Sequence, residues 1–111
     1  MDLASHYGQS DIHKYRSFEF EGFPWQAPER WARSSPSTRI ADAKTPTLIL
    51  VGEEDRRVPY PQGRQLYTAL TALNVPVEFV HYPREGHSIR EYRHAADWHI
   101  RVAGWFDRWI R

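Results

Sequence analysis

No cysteine occurs in these 111 residues, which excludes disulfides and thiolate metal sites and fits a reducing compartment. No apolar run approaches the ~18 residues needed to cross a bilayer, so no membrane partner is expected. The opening residues Met1-Asp2-Leu3-Ala4-Ser5-His6-Tyr7 lack the basic and apolar regions of an export signal. A soluble, cytoplasmic protein is the expectation, any export signal then belonging to sequence upstream. Net charge is nearly absent as well: 15 Lys and Arg face 14 Asp and Glu, leaving +1. Nucleic-acid binding needs a concentrated basic face. Here the arginines alternate with acids, so no nucleic-acid partner is expected either. There is no internal repeat and no low-complexity segment, and the length allows one small domain at most.

What is present is concentrated between Thr47 and His87. Thr47-Leu48-Ile49-Leu50-Val51 is an unbroken apolar, β-branched run closed by Gly52, which predicts a strand covered on both faces of a parallel sheet. An acidic turn follows, Glu53-Glu54-Asp55-Arg56-Arg57-Val58-Pro59. Pro61 to Leu73 reads as a helix, with Leu66, Ala69, Leu70 and Leu73 on one face and Asn74 and Pro76 ending it. Val77-Glu78-Phe79-Val80-His81-Tyr82 is a second strand, and Pro83-Arg84-Glu85-Gly86-His87 a loop. This βαβ pattern predicts two parallel neighbours joined by a right-handed crossover. A final helix is expected from about Ala95 to Trp109, with Trp98, Val102, Trp105, Phe106 and Trp109 as a core-facing stripe. Residues 1–27 show no convincing period and are expected to be loop. Pro28 to Arg33 reads as a short helix, and Thr38 to Pro46 as a connector.

In an open parallel sheet, reactive groups gather at the carboxyl ends of the strands. Two successive strands therefore deliver Asp55 and then His87 to one edge, the acid-then-base order of an α/β-hydrolase relay. Asp55 would orient the imidazole, and His87 would act as general base and then general acid. Glu54 is the nearest substitute acid. The nucleophile is missing. None of the seven serines completes Gly-x-Ser-x-Gly: Gly8-Gln9-Ser10 is half of it, with Ile12 where the last Gly belongs, and Ser88 adjoins His87. His6 and His13 with Asp11 match no helix-face ligand spacing and read as surface histidines. Arg84, Arg90 and Arg93 read as solvated. No metal or organic cofactor is implied.

At these residues the chain resembles the C-terminal end of the prolyl oligopeptidase family of serine peptidases, which includes acylaminoacyl and dipeptidyl peptidases. Tyr7-Gly8-Gln9-Ser10-Asp11-Ile12 through Gly22-Phe23-Pro24-Trp25 resembles the stretch after the family's nucleophile. Lys44 to Gly52 resembles the strand leading to its acid, with Val51 where a His often stands. Glu54-Asp55-Arg56-Arg57-Val58-Pro59 and Tyr82-Pro83-Arg84-Glu85-Gly86-His87 match the acid and histidine motifs. The resemblance implies an α/β fold, residues 1–111 being an incomplete, C-terminal part of an α/β-hydrolase catalytic domain. Residues 1–46 would lead in, and residues 47–111 would carry the triad Asp55 and His87. It implies a serine peptidase that cleaves peptide substrates through an acyl-enzyme, with the chain inactive alone for want of its serine. An esterase or dienelactone-type hydrolase fragment is the alternative on the same fold. Another is a non-catalytic interaction module. Its unpaired strand edges and aromatic face would then bind a partner or a second copy, whereas in an enzyme the exposed strand edges would pair with the missing N-terminal part of the domain.

Overall fold

The structure, a computed structural model, describes residues 1–110. Among these residues five α-helices, a 3-10 helix and two strands follow one another. α1 (Leu3–Gln9) starts at Asp2, whose carboxylate accepts the Ser5 N–H at 2.7 Å, an N-cap in its ordinary geometry. α2 (His13–Glu19) follows at once, and α3 (Pro28–Ser34) has its proline in the first turn. The loop expected over residues 1–27 is therefore largely helical. Each of these helices spans only two turns, too few for an apolar period to emerge from the sequence. They are held by aromatic packing: Tyr7 meets the edges of Phe23, Trp25 and Trp31 with centroids 5.6–6.2 Å apart. Trp31 is 1% exposed, and its indole N–H donates to the Gly22 carbonyl. The expected connector likewise holds a 3-10 helix, Pro36–Asp42.

β1 (Thr47–Gly52), α4 (Tyr60–Ala72) and β2 (Val77–Tyr82) form the expected βαβ unit. The strands pair in parallel from Thr47↔Val77 to Gly52↔Tyr82, so both end at one level. Asn74, at φ +57°, turns the chain out of α4. α4 lies on the face that carries Ile49 and Phe79. There Gly63 brings the helix so close that a Cβ would stand 3.1 Å from the Phe79 ring.

α5 (Tyr92–Trp109) starts three residues earlier than expected and covers the opposite face through Tyr82, Asp97 and Glu78. Two expectations fail here. The strands are not covered throughout: only Ile49, Gly52 and Tyr82 are fully buried, because the sheet has two strands among the described residues. Nor is the α5 stripe core, for no α5 residue is buried, and Phe106 is 55% exposed. A helix of 18 residues runs about 27 Å and a six-residue strand about 20 Å, so the helix overshoots the sheet. No helix among the described residues is long and apolar enough to cross a membrane.

Tyr82 is the polar pin of this packing. It is 4% exposed, and its hydroxyl donates to Asp97 at 3.0 Å. Burial, and then the bond to that carboxylate, push its pKa up to about 12. Below pH 10 the phenol is protonated in both folded and unfolded chains, and its contribution is complete. Between pH 10 and about 12 the unfolded chain sheds the proton first, so stability falls as pH rises. Melting temperatures from pH 9 to 11.5 should decline more steeply for the unsubstituted chain than for Tyr82→Phe. Parallel curves would remove Tyr82 as the cause.

Candidate active site

β1 ends at Gly52, and the next residues fold into a tight turn in which the Asp55 N–H donates to the Gly52 carbonyl at 3.2 Å. Asp55 turns inward, its side chain only 7% exposed. Its Oδ1 accepts the N–H groups of Arg57 at 2.8 Å and Val58 at 2.9 Å, which fixes the carboxylate plane. The other oxygen, Oδ2, lies 2.9 Å from Nδ1 of His87. An acceptor at Oδ2 makes Nδ1 the protonated nitrogen, leaving Nε2 with its lone pair. The His87 imidazole is 59% exposed.

The junction of α1 and α2 clamps this acid turn from behind. The Arg57 carbonyl accepts from His6 Nε2 at 2.9 Å and from Ser10 Oγ at 2.8 Å. Asp11 takes the Arg57 guanidinium at 2.7 Å and donates its own N–H to the Arg56 carbonyl. The Arg57 bond holds the Asp11 carboxyl below its ordinary pKa. His6 was expected at the surface but is 4% exposed, because α1 lies against the turn. Burial lowers its pKa despite the bond to the Arg57 carbonyl, which keeps the ring neutral with its proton on Nε2. Ser10 spends its hydroxyl on that same carbonyl.

The histidine loop is fixed from the other side. The Glu53 N–H donates to the Tyr82 carbonyl, and the Glu54 N–H to the Glu85 carbonyl at 2.8 Å, joining the two turns directly. Glu53 and Glu54 themselves are exposed. Gly52 makes the approach possible, since a Cβ there would stand 2.1 Å from the Gly86 carbonyl oxygen. Arg84, at φ +65°, reaches Glu91 with two bonds of 2.9 and 2.8 Å. Glu85 is 3% exposed and accepts from the N–H groups of Arg90 and Glu91 and from His94 Nδ1. Burial alone would raise its pKa, but those three donors outweigh it and hold the carboxyl below its ordinary value. The ligand atoms of Glu85, Glu91 and His94 lie within 4.8 Å of one another, yet they already serve this ion-pair network. The roles of Glu85, Gly52 and Asp11 were not legible beforehand. Glu85 stood inside the quoted motif, and a buried carboxylate two residues before a histidine has no periodic signature.

Asp55 and His87 share the lining of a cleft of about 640 Å³ with Ile49, Leu50, Val58, Leu66 and Trp98. Its walls come from α4 on one face and α5 on the other, so it follows the edge of β1 that β2 leaves unpaired.

A model of the prolyl oligopeptidase family matches residues 1–111. The chain is 35% identical over 113 residues to the acylamino-acid-releasing enzyme of Rattus norvegicus, covering 95% of this chain and 15% of that enzyme. Acylaminoacyl peptidase of Pyrococcus horikoshii superposes with a TM-score of 0.85 at 27% identity, over 96% of this chain and 18% of that one. A structure of acylaminoacyl peptidase in complex with Z-Gly-Gly-Phe-chloromethyl ketone gives 0.86 at 26% identity, over 98% and 18%. The chain thus spans about 15% of the length of the curated relatives it matches. The fold is the expected portion of an α/β-hydrolase sheet.

Proposed function

The chain belongs to the prolyl oligopeptidase family, and from that membership we propose that it supplies the acid and the histidine of a serine peptidase. The observation that carries this reading is the 2.9 Å contact between His87 Nδ1 and a buried Asp55 whose second oxygen is already locked by two backbone N–H groups. Residues 1–111 act as the C-terminal part of an α/β-hydrolase catalytic domain, residues 47–111 carrying the pair. The serine comes from a part of the enzyme outside these residues. Its hydroxyl attacks the peptide carbonyl, and His87 Nε2 takes the proton while Asp55 holds the imidazolium through Nδ1–H. His87 then gives that proton to the departing amine, leaving an acyl-enzyme. Water repeats the sequence: it loses a proton to His87 and releases the acid, and the serine recovers its hydrogen.

Peptide as substrate is supported by the relative bound to a peptidyl chloromethyl ketone. A cytoplasmic setting belongs to the same reading, compatible with the cysteine-free composition. The open edge of β1 is where a strand from the rest of the domain would pair. A second reading, a non-catalytic binding module, is favoured by the exposed aromatic face of α5.

The two are separated with a fluorophosphonate probe. The 111-residue chain alone should stay unlabelled. A chimera carrying it in place of the matching stretch of the rat acylamino-acid-releasing enzyme should label and hydrolyse acylated peptides. Stoichiometric labelling of the lone chain would overturn the reading, and so would an inert, folded chimera.

A further inference from the structure

We propose that Glu85 is a positioning residue for His87, its carboxylate drawing closed a small ring of backbone on which the imidazole is mounted. The proposal rests on the relay reading above, though its central measurement does not. The His87 ring is 59% exposed, so packing does little to orient it. The bond from its Nδ1 to Asp55 fixes how the ring is turned but leaves the position of its Cβ to the backbone. That backbone runs from Glu85 to Arg90, and Glu85 ties both ends. Its carbonyl receives the Glu54 N–H at 2.8 Å, anchoring the start to the acid turn. Its carboxylate reaches forward across residues 86–89 to the N–H groups of Arg90 and Glu91, each at 2.8 Å. His94 Nδ1 adds a third donor at 2.9 Å from the first turn of α5. One buried side chain thus sets the histidine loop against Asp55 on one side and against α5 on the other.

The chemistry demands a carboxylate of this length. Three donors converge on two oxygens with about four lone-pair sites in all. A glutamine at the same place keeps the shape but turns an NH₂ toward donors, so at least one bond is lost without any loss of packing. An aspartate keeps the charge but falls short of the neck.

The experiment uses the whole 111-residue chain, followed by amide hydrogen exchange and by proton NMR of the hydrogen-bonded Nδ1–H of His87. Glu85→Gln should speed exchange at the loop's tied N–H groups, those of Glu54, Arg90 and Glu91, by about tenfold or more, the effect of losing one buried bond locally. The His87 Nδ1–H signal should broaden or vanish, while exchange within β1 and β2 stays as it was. Glu85→Asp should behave alike, and provides the reading if the glutamine variant does not fold. His94→Ala, which spares the two backbone bonds, should loosen the loop far less. Unchanged loop exchange in Glu85→Gln would overturn the proposal, as would acceleration spread evenly over both strands. Should the unsubstituted chain lack the Nδ1–H signal while Glu85→Gln still frees the loop, the relay reading falls and the positioning role stands.

Discussion

Asp55→Asn, introduced into an assembled enzyme, should lower kcat by about 10⁴-fold with KM little changed, the loss expected when a triad histidine is held in the wrong tautomer. Oδ1 of Asp55 serves two backbone N–H groups, and an asparagine can keep its carbonyl oxygen there. Its NH₂ then faces His87 where Oδ2 stood, 2.9 Å from Nδ1. A donor at that position turns Nδ1 into an acceptor and moves the ring proton to Nε2. An imidazole with its proton on Nε2 cannot take another from a serine there. The turn itself survives, so melting temperature should move little while turnover collapses. His87→Ala should reach the same floor, and the double variant should fall no further, because the two groups act as one unit. Steady-state kinetics on the chimera with an acylated peptide provides the check. Retention of more than about a tenth of the activity by Asp55→Asn would break the assignment, against the far larger loss a triad acid should cost.

The second large effect is on the fold. Gly52→Ala should destabilise the chain by about 3 kcal/mol or more, the upper range for forcing bulk into a packed site. The added methyl would lie 2.1 Å from the Gly86 carbonyl oxygen and 2.5 Å from that of Glu85, both backbone atoms with no rotamer to change. Relief requires the histidine loop to retreat from the strand end. Retreat breaks the bond from Glu54 N–H to the Glu85 carbonyl and carries His87 away from Asp55. Urea unfolding should therefore show a lower midpoint, and NMR the loss of the His87 Nδ1–H signal. An alanine variant as stable as the parent would mean that the two turns do not meet as described.

Much of this was readable from residues because it depends on local rules. β2 is bounded as expected, and β1 ends at the glycine that was expected to close it. An unbroken β-branched run followed by Gly, and a strand stopped by Pro83, leave few other choices. Asp55 and His87 could be paired in advance because parallel order alone brings the ends of neighbouring strands together. The short helix expected from Pro28 to Arg33 stands as α3, but the first 27 residues were not readable. α1 and α2 exist through a single cap at Asp2 and through rings that meet across loops, notably Tyr7 with Trp31, and no window of sequence shows either. The stripe on α5 was read as core because its spacing is that of a buried face. Spacing tells which side of a helix wants cover, whereas cover depends on what lies opposite. The clamp of His6, Ser10 and Asp11 on the acid turn joins residues some 46 to 51 positions apart. Only the folded chain reveals it.

The ladder between β1 and β2 has one more consequence. Asp55 and His87 are 32 residues apart along the chain, yet that contour plays no part in setting their separation. The four positions between α4 and β2, Leu73 to Pro76, could lengthen or be nicked near Asn74, provided the rungs from Thr47↔Val77 to Gly52↔Tyr82 re-form. The pair is gauged by the distance between adjacent strands, a length set by peptide hydrogen bonding and common to every sheet. Mutational drift in α4 or its exit therefore leaves the gauge untouched. A single residue inserted between Gly52 and Asp55, or between Tyr82 and His87, would throw it out.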